Sequence, residues 1–403
     1  MTISGKRNNF SFSVNTCKLR VFLRSEEDWA AFSVALSPMV AHRSPTLVSL
    51  ADYECEAQRR LDPGALAYVS GGAGDELTMR ENAAAWQRLA IRPRVLVGVG
   101  QRDPGTTLLG KRRPHPLIIA PMAFQRFAHR DGELASARAA AKTGAIVCLA
   151  TLASTTAPRL AQAVPDAPRW FQLYVFADRG VSRELVAQAV EHGYEALVVT
   201  VDLPVLGFRE RELRTPLQAT HAEQIASAAA AGAQGTMTPP QFASLIDADL
   251  KWSDIEQFVG ESPIPVLVKG ILTPEDARLA AEHGAAGVVV SNHGGRQLDT
   301  VFTGAEALPE IAAAVGERID VLVDGGIRRG TDVLKALSLG ARAVMVGRPV
   351  IWGLAVDGAD GAARVLEILL SEFDTALALA GAPRAAALDG SFVAPAPWAP
   401  PRQ

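Results

Sequence analysis

The residues best suited to chemistry in this sequence lie in one short stretch, VVVSNHGGRQLD, at positions 288–299. Its first three residues are apolar and typical of a buried strand, and Gly294 and Gly295 then allow the backbone to turn sharply. His293 and Arg296 are therefore expected together at the mouth of that strand. An imidazole can take a proton near neutral pH, and a guanidinium can hold an acid group through paired hydrogen bonds. The stretch predicts a site for a small acid that gives up a proton.

Composition limits the classes of protein that need to be considered. Apolar residues make up 48% of the 403 residues, charged residues make up 21%, and the net charge is −3. This charge does not favour nucleic-acid binding, which usually shows as a basic excess. The three cysteines, Cys17, Cys55 and Cys148, are far apart and lack metal-site spacing, which favours a reduced cytoplasmic setting without a structural metal. No apolar run approaches the ~20 residues of a membrane span.

Eight short apolar runs recur along the chain and predict its fold. They lie at 117–123, 145–151, 170–175, 196–202, 265–271, 287–293, 321–326 and 343–348. Because these runs are apolar throughout and do not alternate, they are typical of strands buried on both faces, and the amphipathic stretches between most of them predict parallel crossovers. Eight such units indicate a (β/α)8 barrel. An open doubly wound sheet is the rival, but no dinucleotide glycine fingerprint follows the first run.

The rest of the chain is divided around this barrel. We expect the barrel domain at 45–384, with a short helical segment at its start and a Pro/Ala-rich flexible tail at 385–403. Residues 1–44 do not fit the pattern and are predicted to be a disordered extension; alternatively, translation starts at Met39, which we favour. About sixty residues separate Asp202 from Pro265, and we expect them to form a long loop over the barrel mouth.

Polar residues gather at the carboxyl ends of the predicted strands, where barrels of this kind place their chemistry. A cationic lysine, a histidine and acids at one rim are more than caps and turns would require. The set comprises Thr151, Gln172, Tyr174, Thr200, Asp202, Lys269, Ser291, His293 and Asp324. The last two strands also carry a phosphate signal, DGGIRRG and GRP, because glycine turns and helix N-termini offer free backbone amides beside Arg328 and Arg348.

Four stretches together carry a family resemblance: SNHGGRQLD, DGGIRRGTDVLKAL, TVDLPVLGFRE and LVKGI. They resemble the FMN-dependent α-hydroxy acid oxidase and dehydrogenase family, which includes glycolate oxidase, lactate oxidase and mandelate-oxidising enzymes. The likeness runs from about Leu47 to Ala380, and the motifs occur in the family's order. It implies an FMN enzyme that oxidises an (S)-2-hydroxy acid to the 2-oxo acid, with the reduced flavin reoxidised by O2 or another acceptor. The family's habit also implies a homotetramer.

The resemblance implies catalytic roles for individual residues. His293 resembles the base that takes the substrate proton, and Asp202 resembles the carboxylate that orients and stabilises its imidazolium. Arg296 and Arg209 are similar to the two arginines that hold the substrate carboxylate. These groups would act together on one small 2-hydroxy acid.

Further roles concern the hydroxyls and the cofactor. Tyr68 and Tyr174 resemble the tyrosines that hydrogen-bond the substrate, and Lys269 resembles the lysine beside the flavin ring, whose charge stabilises the reduced cofactor. The residues that would line the flavin ring are Pro121, Met122, Ala123, Thr151, Gln172, Thr200 and Ser291. Those that would hold the ribityl chain and phosphate are Asp324, Gly325, Gly326, Ile327, Arg328, Gly347 and Arg348.

Three positions depart from the family's pattern and bear on the substrate. Leu152 stands where glycolate oxidase has a tryptophan, Phe208 precedes the loop arginine in place of a basic residue, and Val69 replaces a second tyrosine of some members. A leucine in place of an indole frees volume above the flavin. We therefore expect a substrate larger than glycolate, of mandelate type or with a branched or medium-length chain.

Two other classes of protein remain open at this point. One is a flavin- or phosphate-binding barrel of different chemistry, such as an isomerase, which would share the glycine loops but would not need His293, Arg296 and Arg209 together. The other is a catalytically idle barrel kept for interaction. The intact set of polar rim residues favours neither.

Overall fold

The computed structural model describes residues 2–4, 10–14, 17–21, 47–217 and 239–398. The chain divides into two compact units, one ending at Val48 and one beginning at Ser49. The first unit contains an antiparallel sheet of three short strands: Thr2–Ser4, Phe10–Val14 and Cys17–Val21. Apart from these strands, residues 1–44, which were predicted to be a disordered extension, lie outside the described ranges. Positions 218–238 of the long loop and 399–403 of the tail also lie outside them.

The second unit is built on a closed barrel of eight parallel strands, β1 to β8. In chain order they are Leu117–Ile119, Ile146–Leu149, Arg169–Leu173, Leu197–Thr200, Val266–Ile271, Gly287–Val290, Asp320–Val323 and Ala343–Val346. Each strand overlaps one predicted run, and β8 pairs with β1 to close the barrel. The predicted (β/α)8 fold is confirmed, and the open sheet was the wrong alternative.

Helices connect the strands and cover the outside of the barrel. The main helices after β1 to β8 are Gly132–Thr143, Ala157–Ala163, Arg179–Glu191, Trp252–Glu261, Pro274–Glu282, Gly304–Val315, Gly330–Ser338 and Arg348–Ala380. The last of these is kinked at Asp357 and Gly358, where the backbone leaves the helical range. No helix in the described part of the chain is both long and apolar enough to span a membrane.

The barrel interior explains why the strands are apolar on both faces. Side chains such as Ile118, Cys148, Trp170, Leu267 and Met345 pack into one buried cluster at its centre, each no more than 3% exposed. The opposite face of each strand packs against the surrounding helices. Polar residues are therefore confined to the strand ends, and the carboxyl ends of parallel strands all meet at one rim.

The segment before the barrel brings its own residues to that rim. Its helices are Leu50–Arg60, Pro63–Ser70 and Leu77–Gln87. The third begins without a side-chain cap of its own; instead the Asp299 carboxylate accepts from the amides of Leu77 and Thr78, at 3.1 and 2.7 Å. A pair of amide hydrogen bonds also joins Asn82 to Asn292, at 3.0 and 2.8 Å. The loop after β6 thus holds the N-terminal segment in place.

The long β4–β5 connection is more ordered than the sequence pattern indicated. It contains Glu210–Arg214, Pro239–Ala243 and the ten-residue helix Trp252–Glu261. This last helix was not predicted, although Asp254 accepts from the amide of Lys251 at its start and Ile255 and Phe258 are buried on one face. Because an alanine-rich stretch precedes it, the helical spacing of these two apolar residues was not recognised in the sequence.

The predicted flexible tail begins too early. Within it, residues 385–387 and 390–392 form short 3-10 turns, and Val393–Pro395 pairs antiparallel with Leu89–Ile91. Trp398 then donates from its indole to the carbonyl of Gln87 at 3.1 Å. The proline and alanine content of this segment indicated disorder. A short edge strand, however, needs only a few backbone hydrogen-bond partners, and Leu89–Ile91 supplies them. A second small antiparallel pair joins Thr106–Leu108 to Lys111–Arg113.

Candidate active site

A cleft opens at the carboxyl ends of the barrel strands and holds about 1370 Å³ of empty space, part of it open to solvent. Nearly all of the residues singled out from the sequence line it. They are Tyr68, Pro121, Met122, Ala123, Leu152, Gln172, Tyr174, Thr200, Arg209, Lys269, His293, Arg296, Asp324, Gly325, Gly326, Ile327, Arg328, Gly347 and Arg348. Residues up to 280 positions apart in the chain therefore meet around one space.

Three predicted site residues lie behind the wall of the cleft and contact others that line it. The Thr151 hydroxyl donates to the carbonyl of Gln172 and accepts from the amide of Tyr174, at 2.7 and 2.9 Å. The Ser291 hydroxyl accepts from Lys269 Nζ at 2.9 Å. Asp202 contacts His293 and is described next. The structure thus places these three residues as supports for groups that face the cleft.

His293 and Asp202 form an imidazole–carboxylate pair. His293 Nδ1 lies 2.8 Å from Asp202 Oδ1, and Nε2 lies 3.4 Å from the Tyr174 hydroxyl. With Asp202 accepting the Nδ1 proton, the lone pair of a neutral imidazole is on Nε2, at the Tyr174 side. His293 has φ of +58°, an uncommon conformation for a non-glycine residue, and its amide donates to Ser291 Oγ at 3.0 Å.

The following glycines make this conformation possible. Gly294 and Gly295 also have positive φ, at +66° and +74°, so the backbone turns back within three residues. A Cβ on Gly295 would lie 2.6 Å from the Cα of Met79 in the N-terminal segment. The two glycines are therefore required both for the turn and for the close approach of that segment.

The pKa of His293 is lowered from its ordinary value of 6.5, chiefly because burial disfavours the charged ring. The Asp202 carboxylate acts in the opposite direction, and Lys269 adds to the lowering. For Asp202 itself, burial raises the pKa, but nearby His293 and Lys269 outweigh it and the pKa is lowered overall. A neutral imidazole beside an ionised carboxylate is the arrangement a general base needs.

If His293 is a catalytic base, its lowered pKa predicts how turnover depends on pH. Such a base is active when neutral, so kcat/KM should rise with pH as His293 loses its proton and level off above that pKa. Because the pKa is depressed, the midpoint of this rise should lie below pH 6.5. Steady-state rates between pH 4.5 and 8 would measure it. A midpoint well above 6.5 would contradict the assignment of the limb to a buried His293.

Lys269 supplies a fixed positive charge under the cleft. Its Nζ lies 2.9 Å from Ser291 Oγ and 3.4 Å from Asp324 Oδ2, and the residue is 4% exposed. Burial lowers its pKa, but Asp324 and Asp202 more than offset this, and the pKa is raised overall. The lysine therefore stays protonated although it is buried.

Arg209 and Arg296 lie side by side at the cleft. Arg209 donates from Nε to the carbonyl of Arg296 and from Nη2 to Gln297 Oε1, both at 3.0 Å. Arg296 donates from Nη1 to the carbonyls of Tyr68 and Gly71, at 2.6 and 3.1 Å, and its guanidinium carbon lies 4.8 Å from the centre of the Tyr68 ring. Both guanidiniums line the cleft, and guanidiniums are well suited to binding a carboxylate there.

Buried polar atoms in the cleft indicate that it is shaped for a polar ligand. Among the described residues, Gln172 Nε2, Thr200 Oγ1 and Asp324 Oδ1 are buried there without a hydrogen-bond partner. An amide donor, a hydroxyl and a carboxylate acceptor match the ring heteroatoms and chain hydroxyls of a flavin nucleotide. These residues fit the cofactor that the sequence predicted.

The β7 and β8 loops form the far end of the cleft, where the phosphate was predicted. Gly325 and Gly326 have φ of +88° and +80°, and a Cβ on Gly326 would lie 1.9 Å from the carbonyl of Asn82. Arg328 stacks over the Trp352 ring at 4.8 Å. Bare backbone beside buried guanidiniums suits a phosphate.

Arg348 is held more fully than the sequence indicated. It donates to the carbonyls of Val69, Gly71 and Gly294 at 2.9–3.0 Å, and burial lowers its pKa to about 9. These bonds use three of its five donor hydrogens. Arg348 therefore ties the N-terminal segment to the loop after β6 while it lines the cleft.

An apolar wall of the cleft was missed by sequence reasoning, apart from Leu152. The other members are Phe124, Ala128, Leu203, Leu206, Phe242, Ala243 and Ile246. Phe242 is fully buried and packs edge-on against Phe176 after β3, with ring centres 5.4 Å apart. The sequence pattern does not single out an apolar residue in a long connection, so only its contact with Phe176, which follows β3, identifies this position.

The fold and the site define the class of protein: a (β/α)8 barrel with a histidine–carboxylate pair, two arginines and a cleft suited to a flavin nucleotide. The family model described as FMN-dependent dehydrogenase matches residues 57–395. The chain therefore belongs to this family, and it is an FMN-dependent enzyme that oxidises 2-hydroxy acids. The alternatives of an isomerase-like or idle barrel are thereby set aside.

Individual relatives agree with this assignment. The chain is 45% identical over 367 residues to L-lactate oxidase from Nostoc sp., covering 88% of this chain and 100% of that one. It is 46% identical over 338 residues to peroxisomal (S)-2-hydroxy-acid oxidase GLO4 from Oryza sativa subsp. japonica, covering 83% and 92%. The solved structure of mandelate oxidase with benzoyl-formic acid is similar, with 40% identity, coverage of 87% and 98%, and a TM-score of 0.78.

Proposed function

We propose that this enzyme oxidises (S)-2-hydroxy acids whose side chain is larger than that of glycolate, with His293 as the base. The observation that carries the proposal is the placement of His293 Nε2. It lies 3.4 Å from the Tyr174 hydroxyl, in a cleft that Arg209 and Arg296 also line. A 2-hydroxy acid needs one proton acceptor and one carboxylate site, and both are available within this space.

The substrate is held at its two polar groups. Arg209 and Arg296 bind its carboxylate, and the Tyr68 and Tyr174 hydroxyls donate to the carboxylate and hydroxyl oxygens. Burial raises the pKa of both tyrosines, so they remain protonated donors. His293 then takes the substrate proton at Nε2, and Asp202 stabilises the imidazolium that forms.

When bound, FMN would supply an acceptor for the two electrons that the substrate loses. Lys269 would stabilise negative charge on the flavin ring, and Gln172 and Thr200 would offer their unpartnered atoms to it. Pro121, Met122 and Ala123 would contact the ring through apolar surface. Asp324 would take a ribityl hydroxyl, and Arg328 and Arg348 would hold the phosphate.

The apolar wall supports a bulky substrate side chain. Leu152, Phe242 and Ile246 are apolar residues that line the cleft, so burial of an aromatic or branched side chain would be favourable there. We therefore propose a mandelate-type or medium-chain substrate. Relatives named lactate oxidase and mandelate oxidase bracket this range of sizes. Comparison of kcat/KM across glycolate, lactate, mandelate and 2-hydroxyoctanoate tests it, and a preference for glycolate would contradict it.

Replacement of Leu152 tests the size of this pocket directly. Leu152→Trp should lower kcat/KM for mandelate by about 10-fold or more while affecting glycolate far less, because an indole fills the space that a phenyl ring needs. Leu152→Met conserves volume and serves as the control. Equal losses for both substrates would show that Leu152 does not limit side-chain size.

The electron acceptor, assembly and location belong to the same proposal. We propose O2 as the acceptor, because several relatives are named oxidases, and a homotetramer in the cytoplasm. Cys55 and Cys148 are both free thiols, which supports a reducing location. Oxygen consumption and hydrogen peroxide release during turnover test the acceptor, and light scattering of the purified holoenzyme tests the tetramer.

A further inference from the structure

Glu212 contacts both arginines of the cleft through a single oxygen. It lies in the short helix Glu210–Arg214, three residues after Arg209. Its Oε1 is 3.5 Å from Arg209 Nη1 and 3.1 Å from Arg296 Nη2. The two guanidiniums come from loops after different strands, so this carboxylate joins them across the barrel mouth.

Glu212 does not line the cleft, whereas both arginines do. Its side chain is 17% exposed and that of Arg209 is 6% exposed. The carboxylate therefore contacts both guanidiniums without lining the cleft itself. This placement separates it from groups that touch the substrate.

The electrostatics of the pair explain why a carboxylate is needed there. Burial lowers the pKa of Arg209, the charge of Arg296 lowers it further, and Glu212 opposes both effects. Two cations forced together in a buried place repel each other and tend to separate. Their remaining bonds to Gln297 and to backbone carbonyls hold one edge of each guanidinium, and Glu212 holds an adjacent edge of both.

We propose that Glu212 is a positioning residue that sets the distance and angle between Arg209 and Arg296, so that both aim at one substrate carboxylate. This inference rests on the proposed function, because it requires those arginines to bind the substrate. A competing interpretation makes Glu212 a simple counter-charge that weakens anion binding. The two differ in sign: loss of the charge weakens substrate binding under the first and strengthens it under the second.

The test uses the FMN-loaded holoenzyme and two probes that do not react, benzoylformate and pyruvate. Their Kd values are measured from the change in flavin absorbance in the wild type, Glu212→Gln and Glu212→Asp. Glu210→Gln is the matched control, because Glu210 lies on the same helix and pairs with Arg214. Thermal melting and flavin content show that each variant is folded.

We expect Glu212→Gln to raise Kd and KM together, by about 10-fold to 100-fold, because Arg296 loses a charge-assisted hydrogen bond and Arg209 loses an ion pair. At saturating substrate kcat should change by less than about 3-fold, and the acid limb of kcat/KM should stay in place, since Glu212 does not contact His293. Glu212→Asp, which keeps the charge, should recover part of the loss. A Kd that is unchanged or lower in Glu212→Gln would overturn the inference.

A neutral analogue separates this outcome from failure of the proposed function. Wild-type enzyme should bind benzoylformate far more tightly than its uncharged amide, because only the acid pairs with the arginines. Without that preference, the arginines do not hold the carboxylate and the proposed function itself is wrong. With that preference and an unaltered Glu212→Gln variant, only the role of Glu212 is wrong.

Discussion

Replacing His293 with glutamine is expected to slow reduction of the bound flavin by a factor on the order of 10³ or more. In the proposed mechanism the Nε2 atom that faces Tyr174 is the proton acceptor, and an amide nitrogen has no lone pair suited to that task. Anaerobic stopped-flow absorbance after mixing with a 2-hydroxy acid measures the rate. The variant should keep its FMN, because His293 shares the cofactor's surroundings with many other groups.

A second histidine provides a matched control for this variant. His283 also has a carboxylate partner, with Nδ1 3.1 Å from Glu256 Oε2, but neither residue lines the cleft. His283→Gln should reduce its flavin at the wild-type rate. If His293→Gln did the same, the base would have to be sought elsewhere.

Replacing Asp202 with asparagine is expected to produce the second large loss, about 10²- to 10⁴-fold in kcat. The carboxylate holds the proton on Nδ1 and stabilises the imidazolium, whereas an amide can favour the other tautomer. Asp202 also raises the pKa of His293, so its removal should move the acid limb of kcat/KM to lower pH. Rate–pH profiles of the two enzymes measure both effects.

The direction of the pH shift is the informative part of this prediction. A merely structural role for Asp202 would reduce activity without moving the limb downward. Glu256→Gln, which removes the carboxylate of the surface pair, serves as the control and should change neither quantity. An upward shift in the Asp202→Asn variant would contradict the electrostatic account.

Much of the barrel and its rim could be predicted because their signals are local. A run of apolar residues that ends in a polar one, such as β4 before Asp202 or β6 before His293, indicates both the strand and the direction of its open end. The order of these units then places the polar ends at one rim. Motif resemblance supplied what spacing could not, namely which of the rim residues are expected to contact the substrate.

Other features depend on contacts between distant segments and carried no signal. In the sequence, Asp299 only follows a glycine-rich loop. In the structure, it caps the helix Leu77–Gln87, more than two hundred residues earlier in the chain. In the sequence, Glu212 is one of several charged residues in a row. Only the fold shows that it contacts Arg296. Phe242 belongs to a long connection, and its burial against Phe176 emerges only when β3 is in place.

Anaerobic mixing of the FMN-loaded enzyme with each enantiomer of mandelate tests the central claim most directly. His293 Nε2, the arginine pair and the flavin site surround one space with a fixed hand. Because the proposed substrates are (S)-2-hydroxy acids, the (S) enantiomer should bleach the flavin absorbance fully within one turnover and yield benzoylformate, while the (R) enantiomer leaves it unchanged. Flavin that stays yellow with (S)-mandelate and with every other 2-hydroxy acid tested would contradict the account.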